Sequence, residues 1–291
     1  MLMYSYDSTA YFGNPCPKRY AVDMFVLLQA IILGIVEGLT EFLPVSSTGH
    51  LILTEHILGF VDSKEIFTVV IQVGAIAAVI WYFRHDLAQR IAGLLKRDKQ
   101  AIRFWTLLAI GTIPAGLLGL LIEAQMERLT TPTVVAWALI IGGIVLWLVD
   151  RKPVERKKDE PKIDKIGFKQ AWYVGIGQCL ALVPGVSRSG ATIISGLFAG
   201  MDHATATAFS FYLSIPVLVL ASGYKLVKHA DAIGDISGGV AAIALGVVAA
   251  FFTALAAVAW LLRYISRHNF RPFAYYRVVL GIIILVWLGF N

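Results

Sequence analysis

Long apolar runs occupy six places in the chain: 66–83, 104–121, 133–149, 205–224, 239–262 and 273–290. Each approaches the ~20 residues an α-helix needs to cross ~30 Å of hydrocarbon. Two further apolar stretches, 24–60 and 170–200, are interrupted near their middles. The interruptions read Pro44-Val45-Ser46-Ser47-Thr48-Gly49 and Pro184-Gly185-Val186-Ser187-Arg188-Ser189-Gly190. Proline and glycine stop one helix, and the hydroxyl residues cap the next. Each stretch therefore predicts two short helices meeting at a polar loop at membrane depth. Irregular backbone persists there only when protein or a wet cavity surrounds it. The pattern as a whole predicts an all-α polytopic membrane protein with six transmembrane helices and two re-entrant helix-loop-helix hairpins.

Composition agrees. Of 291 residues, 58% are hydrophobic and only 15% charged, and the mean hydropathy is +0.73. A soluble domain carries about 25% charged residues, so a soluble enzyme, a disordered chain and a nucleic-acid binder are all excluded. The net charge of +6 belongs to loops. The connections 84–103, 150–169 and 263–271 hold 17 Lys and Arg residues, whereas 54–65, 122–132 and 225–238 hold four. Such a bias assigns the first set to the cytoplasm, and both termini then fall outside if each broken stretch returns to the side it entered. Trp81, Trp105, Trp147, Trp172 and Trp260 lie beside the basic loops, as an interfacial belt does. Cys16 and Cys179 are too few for a disulfide framework or a cysteine metal site. Residues 1–23 form a polar N-terminal extension with no signal-peptide core.

The two broken stretches match each other. Shifting the second half back by 141 residues lays Val186-Ser187-Arg188-Ser189-Gly190 on Val45-Ser46-Ser47-Thr48-Gly49, and Gly175-Ile176 on Gly34-Ile35. Each broken stretch is followed by three full spans, and the two halves start on opposite sides. That is the pattern of an inverted-topology repeat, whose broken elements meet near the midplane and form the site. The expected organisation is a first repeat over 24–150, a basic cytoplasmic linker over 151–164 and a second repeat over 165–291.

Four residues charged at neutral pH stand inside apolar segments, away from the connections: Glu37, Glu41, Arg188 and Arg277. A charge at the centre of a spanning helix costs about 2.5–3.5 kcal/mol, so intramembrane charges mark function unless they pair structurally. Glu37 and Glu41 are one turn apart and share a helix face. Ser46, Ser47 and Thr48 stand where a helix start leaves N–H groups free, an anion-binding arrangement, and His50 follows on the first turn. Arg188, with Ser187 and Ser189, offers a planar fork suited to phosphate oxygens in the mirrored loop. Arg277 lies one turn into the last helix and is expected to snorkel to the cytoplasmic surface. Gly34/Gly38 and Gly196/Gly200 predict close helix packing. His56, His85, His203, His229 and His268 sit near helix ends, and no role is expected of them. Together the residues describe a site for a phosphate group inside a membrane, with acids to hold a divalent cation or to move protons. Serine needs a neighbour to take its proton, and His50, three residues on, is the expected base for Ser47. Attack by His50 itself stays open.

The run Gly34-Ile35-Val36-Glu37-Gly38-Leu39-Thr40-Glu41-Phe42-Leu43-Pro44-Val45-Ser46-Ser47-Thr48-Gly49-His50 resembles the first signature of the undecaprenyl-diphosphate phosphatase family, also called bacitracin-resistance proteins. Pro184-Gly185-Val186-Ser187-Arg188-Ser189-Gly190-Ala191-Thr192 resembles the second. The similarity extends from about residue 24 to the C-terminus, and 1–23 has no counterpart in it. The resemblance implies hydrolysis of undecaprenyl diphosphate at the outer face of the bacterial plasma membrane, recycling the peptidoglycan carrier lipid. It also implies a divalent cation, Mg²⁺ or Ca²⁺. The family's functional acids, hydroxyl, histidine and arginine fall on Glu37, Glu41, Ser47, His50 and Arg188. We therefore expect Glu41, Ser47, His50 and Arg188 to be catalytic. Ser46, Thr48, Ser187 and Ser189 are expected to bind substrate, and Glu37 with Glu41 to hold the metal. The expected partners are a polyprenyl diphosphate lipid and the bilayer, with no nucleic acid; a homodimer is compatible with the sequence. The competing reading is a carrier that flips a polyprenyl phosphate, since inverted repeats with broken helices also build transporters. Acid-phosphatase-like lipid phosphatases require a His five residues beyond a Ser-Arg pair. After Ser187-Arg188 the next His is His203, so that class does not fit.

Overall fold

A computed structural model describes residues 24–62, 65–150 and 161–290. The N-terminal extension 1–23 and positions 151–160 of the expected linker lie outside the described residues. Among the described residues the chain forms eleven α-helices: α1 (Met24–Thr40), α2 (Ser47–Leu58), α3 (Ile66–Tyr82), α4 (Arg84–Leu95), α5 (Lys99–Leu129), α6 (Pro132–Val149), α7 (Phe168–Gln178), α8 (Arg188–Phe198), α9 (His203–Lys228), α10 (Gly239–Ile265) and α11 (Arg271–Phe290). The helix ends follow local chemistry. Thr131 caps α6 through the Val134 N–H with Pro132 in the first turn, and Asp202 caps α9 through the Thr205 N–H at 2.7 Å.

The six apolar runs fall on α3, α5, α6, α9, α10 and α11. Five of these are long and apolar enough to cross a bilayer, and α3 makes a sixth together with α4, bent 76° from it. The basic connection after α3 is thus itself helical, and α4 opens on Arg84, His85 and Asp86. Both broken stretches divide where the sequence places the break: α1 ends before Pro44, and α7 gives way to a 3-10 turn (Cys179–Leu182) before Pro184-Gly185.

Packing crosses between the halves. α1 lies on α10 and α7 on α5; α3 packs on α10 and α9 on α5; α6 and α11 pack on each other. Glycine makes the first of these contacts close enough. A Cβ at Gly34 would collide with the Gly246 carbonyl, and one at Gly38 with the Thr253 hydroxyl and the Ala250 carbonyl. Gly175, 141 residues beyond Gly34, also lies close against the backbone of Ile110 and Gly111 of α5, though less tightly. The second expected glycine pair divides. Gly196 packs against Ala206, but Gly200 has open space around it and is required instead by its φ of +82° at the α8–α9 turn.

At the end of α6 the buried Asp150 carboxylate accepts from the Phe270 N–H and lies 2.6 Å from His203 Nε2. It joins α6, the start of α9 and the α10–α11 turn, so His203 has a structural role that its position near a helix end does not disclose.

Overpacking in a tight core costs typically 1–3 kcal/mol, and at Gly38 the obstacle includes backbone. Gly38→Leu should therefore lower the thermal unfolding temperature in detergent markedly. Gly116→Leu on α5, where nothing lies within 4 Å, should leave it near the parent value.

Candidate active site

Each broken stretch ends its loop on a serine with unusual backbone. Ser46 has φ 73° and ψ 101°, and Ser187 has φ 72° and ψ 114°. Positive φ is disfavoured for any residue with a Cβ and is kept only where surrounding contacts enforce it. Here the enforcing contact is a cap. Ser46 Oγ accepts from the Gly49 N–H at 3.4 Å, and Ser187 Oγ accepts from the Gly190 N–H at 3.1 Å. The next residue in each case opens a helix: Ser47 opens α2 and Arg188 opens α8.

These two residues converge on one carboxylate. Ser47 Oγ donates to Glu41 Oε2 at 2.6 Å, and Arg188 Nη2 donates to Glu41 Oε1 at 3.0 Å. Glu41 is buried and Arg188 nearly so. Arg188 Nη1 also donates to the Ser210 carbonyl on α9 at 3.2 Å, and its guanidinium lies 5.6 Å from the Phe42 ring centre. Its Nε is buried with no hydrogen-bond partner.

Glu37, one turn before Glu41 on α1, is also buried, and neither of its oxygens makes a hydrogen bond. Gln72 of α3 lies beside it, along with Glu41 and Arg188; the Gln72 carbonyl oxygen is taken by Ser222 Oγ at 2.9 Å. Two carboxylates thus stand together, with the Gln72 side chain beside the buried Glu37. No group of three or more His, Cys, Asp or Glu side chains suited to a metal occurs among the described residues.

His50 does not meet Ser47. Its Nδ1 lies 2.7 Å from the Ser46 carbonyl, which can only accept, so that nitrogen carries the proton. Nε2, left as acceptor, receives the Tyr276 hydroxyl at 2.7 Å, with the two rings nearly parallel at 5.6 Å. The proton acceptor that Ser47 touches is the Glu41 carboxylate, and the expected Ser47–His50 contact does not form. The reason is the helix itself: a side chain on the first turn of α2 reaches back to the cap carbonyl, whereas Ser47 turns toward α1.

The hydroxyls expected to bind substrate are mostly engaged inside the protein. Ser46 and Ser187 are caps, and Ser189 Oγ donates across the loops to the Leu43 carbonyl at 2.8 Å. Thr48 is exposed. Arg277, expected at the cytoplasmic surface, is completely buried instead, because both loops and α6 close over it. Tyr276 has no mark in the sequence that separates it from an interfacial aromatic; its place beside Arg277 is the one available signal.

A family model described as bacitracin resistance protein BacA matches residues 30–283. The undecaprenyl-diphosphatase of Nitrosospira multiformis is 48% identical over 267 residues, covering 91% of this chain and 96% of that protein. The undecaprenyl-diphosphatase of Acinetobacter baumannii is 45% identical, covering 91% and 97%. Undecaprenyl-diphosphatase 2 of Rhodospirillum rubrum is 46% identical over 275 residues, covering 92% and 98%. The matched region contains both polar loops and every residue of the site, and with identity at this level over this length the chain belongs to the bacitracin resistance protein BacA family.

Proposed function

We propose that the chain is a multi-pass membrane phosphatase that hydrolyses undecaprenyl diphosphate to undecaprenyl phosphate and inorganic phosphate. The relatives' names point to that substrate, and one observation carries the chemistry. A single buried carboxylate, Glu41, receives the Ser47 hydroxyl on one oxygen and the Arg188 guanidinium on the other. A carrier needs the guanidinium but has no use for a hydroxyl held against a base.

In the reaction, Ser47 Oγ attacks the terminal phosphorus and its proton passes to Glu41 Oε2. The bond between that phosphorus and the bridging oxygen breaks, and undecaprenyl phosphate leaves with the electron pair. Arg188 binds the non-bridging oxygens as their charge develops. Water then attacks the phosphoserine phosphorus and the P–Oγ bond breaks; Glu41 returns its proton to Ser47 Oγ, and inorganic phosphate leaves carrying the water's oxygen and protons. His50 holds the loop by its bond to the Ser46 carbonyl, which also fixes its tautomer, and Tyr276 bonds to the other ring nitrogen.

Glu37 and Glu41 are the residues that would hold a divalent cation, with substrate oxygens completing its shell. A hard cation of this kind is usually bound by one or two carboxylates plus phosphates rather than by an all-protein cage. The buried oxygens of Glu37 fit that role. When bound, the ion supplies charge neutralisation at the diphosphate.

The two halves, 24–150 and 165–291, read as an inverted repeat whose broken stretches are re-entrant hairpins. Three features support this reading: the shared backbone angles of Ser46 and Ser187, their equivalent caps, and the exchanged helix partners α1 on α10 and α7 on α5. With the basic loops in the cytoplasm, the site opens to the outer side, where the diphosphate carrier lipid is returned to the cycle.

Detergent-solubilised protein given undecaprenyl diphosphate should release phosphate, which a pure carrier does not. Glu41→Gln and Ser47→Ala should each lower kcat by about 10²–10⁴-fold, the range for losing a positioned base or its nucleophile. Absence of phosphate release by the parent protein would sink the proposal. A trapped phospho-enzyme should be acid-stable, as phosphoserine is; an acid-labile phosphate lost in His50→Ala but kept in Ser47→Ala would move the nucleophile to His50. Glu37→Gln should raise the Mg²⁺ or Ca²⁺ concentration needed for half-maximal rate by at least tenfold. An unchanged metal requirement would leave Glu37 as a proton carrier.

A further inference from the structure

Arg277 on α11 has no solvent exposure, and every partner it makes is a neutral carbonyl. Nη1 donates to Pro44 at 3.2 Å. Nη2 reaches Val186 at 2.9 Å, Gly185 at 3.3 Å and Ala138 at 3.2 Å, and Nε reaches Leu139 at 3.4 Å. Pro44 belongs to the first loop, Gly185 and Val186 to the second, and Ala138 and Leu139 to α6. Pro44 and Gly185 are 141 residues apart, the separation of Ser46 from Ser187. One guanidinium therefore holds the same carbonyl position in both loops.

Space has been made for it. A Cβ at Gly142 of α6 would collide with Nη2, and one at Gly190 of α8 would come within 2.9 Å of Nη1. The planar fork is what lets one side chain bond to three elements at once; an ammonium, with three donors on one nitrogen, cannot span them. The charge is not needed to bind carbonyls, since neutral donors do the same. A buried cation without a carboxylate partner is costly, and it is retained here between the starts of α2 and α8, whose free N–H ends are also positive.

We propose that Arg277 is a positioning residue that locks the two loops at a fixed separation, aligning Ser47 with Arg188, and whose uncompensated charge attracts the anionic end of the substrate without touching it. The proposal rests on the phosphatase reading for its kinetic effect, though not for the locking itself.

The test uses the full chain in detergent, with undecaprenyl diphosphate as substrate and hydrogen exchange of residues 43–50 and 184–191 as a second readout. Arg277→Lys keeps the charge and loses the fork; kcat should fall about 100-fold, the scale of a 1 Å misalignment, with KM within twofold of the parent. Arg277→Met should lose kcat similarly and raise KM about tenfold. In both variants exchange should accelerate at least tenfold in the two loops together and stay at the parent rate in α10. Gly142→Ala pushes the guanidinium aside while keeping its charge, and should reproduce the Lys variant; it decides the matter if neither Arg277 variant folds. Parent-like kcat in a folded Arg277→Lys or Gly142→Ala protein, unchanged loop exchange, or acceleration spread evenly over the chain would each overturn the proposal. A parent protein that releases no phosphate would remove the phosphatase reading, while the exchange rates would still decide the lock.

Discussion

A polar loop surrounded by apolar helices keeps its shape only if its carbonyls, N–H groups and charges find partners in the protein, because hydrocarbon offers none. In this chain the two loops find partners in each other and in Arg277 of α11. Ser189 gives its hydroxyl to the Leu43 carbonyl, Arg188 gives its guanidinium to Glu41, and Arg277 bonds to Pro44, Gly185 and Val186. Breaking one partner out of a buried ion pair typically costs about 3–5 kcal/mol, a large part of the ~5–15 kcal/mol that holds a domain together. The contacts that hold the loops together are thus the same contacts that bring Ser47, Glu41 and Arg188 into one place.

The two loops use the same backbone geometry to present different chemistry. A serine at positive φ, pinned by its own cap, turns the chain so that the next residue opens a helix and faces inward. In the first loop that residue is Ser47, a hydroxyl; in the second it is Arg188, a cation. Both reach Glu41, which therefore sits where a hydroxyl and a guanidinium meet. Neighbouring serines have divided the work. Ser46 is fully buried and maintains the turn, while Ser47 is half-buried and available for chemistry.

Close helix contact makes this arrangement possible. The glycines of α1 let it lie against the backbone of α10, and Gly175 does the same for α7 on α5. A larger side chain at those positions would move α1 outward, and with it Glu37 and Glu41. The distance from Glu41 to Arg188, which spans 147 residues of sequence, thus depends on contacts made one and two turns back along α1.

The sequence by itself determined the six apolar runs, the two breaks and their matched motifs, because hydrophobic length and the effects of Pro, Gly and Ser act locally. It also singled out Glu37, Glu41, Ser47, His50 and Arg188, since charge and hydroxyl clusters are conspicuous in an apolar chain. Only the tertiary structure decided their partners. His50 is three residues from Ser47 yet bonds to Ser46 and Tyr276, because a residue on a helix's first turn reaches its own cap more readily than a neighbour facing another helix. Ser46, Ser187 and Ser189 look like substrate donors in the motif and serve as caps and a cross-link once the loops meet. Arg277 reads as a snorkelling residue one turn from a helix end; its burial follows from two loops and a third helix closing over it, and no local pattern encodes a contact with positions 91 to 233 residues away.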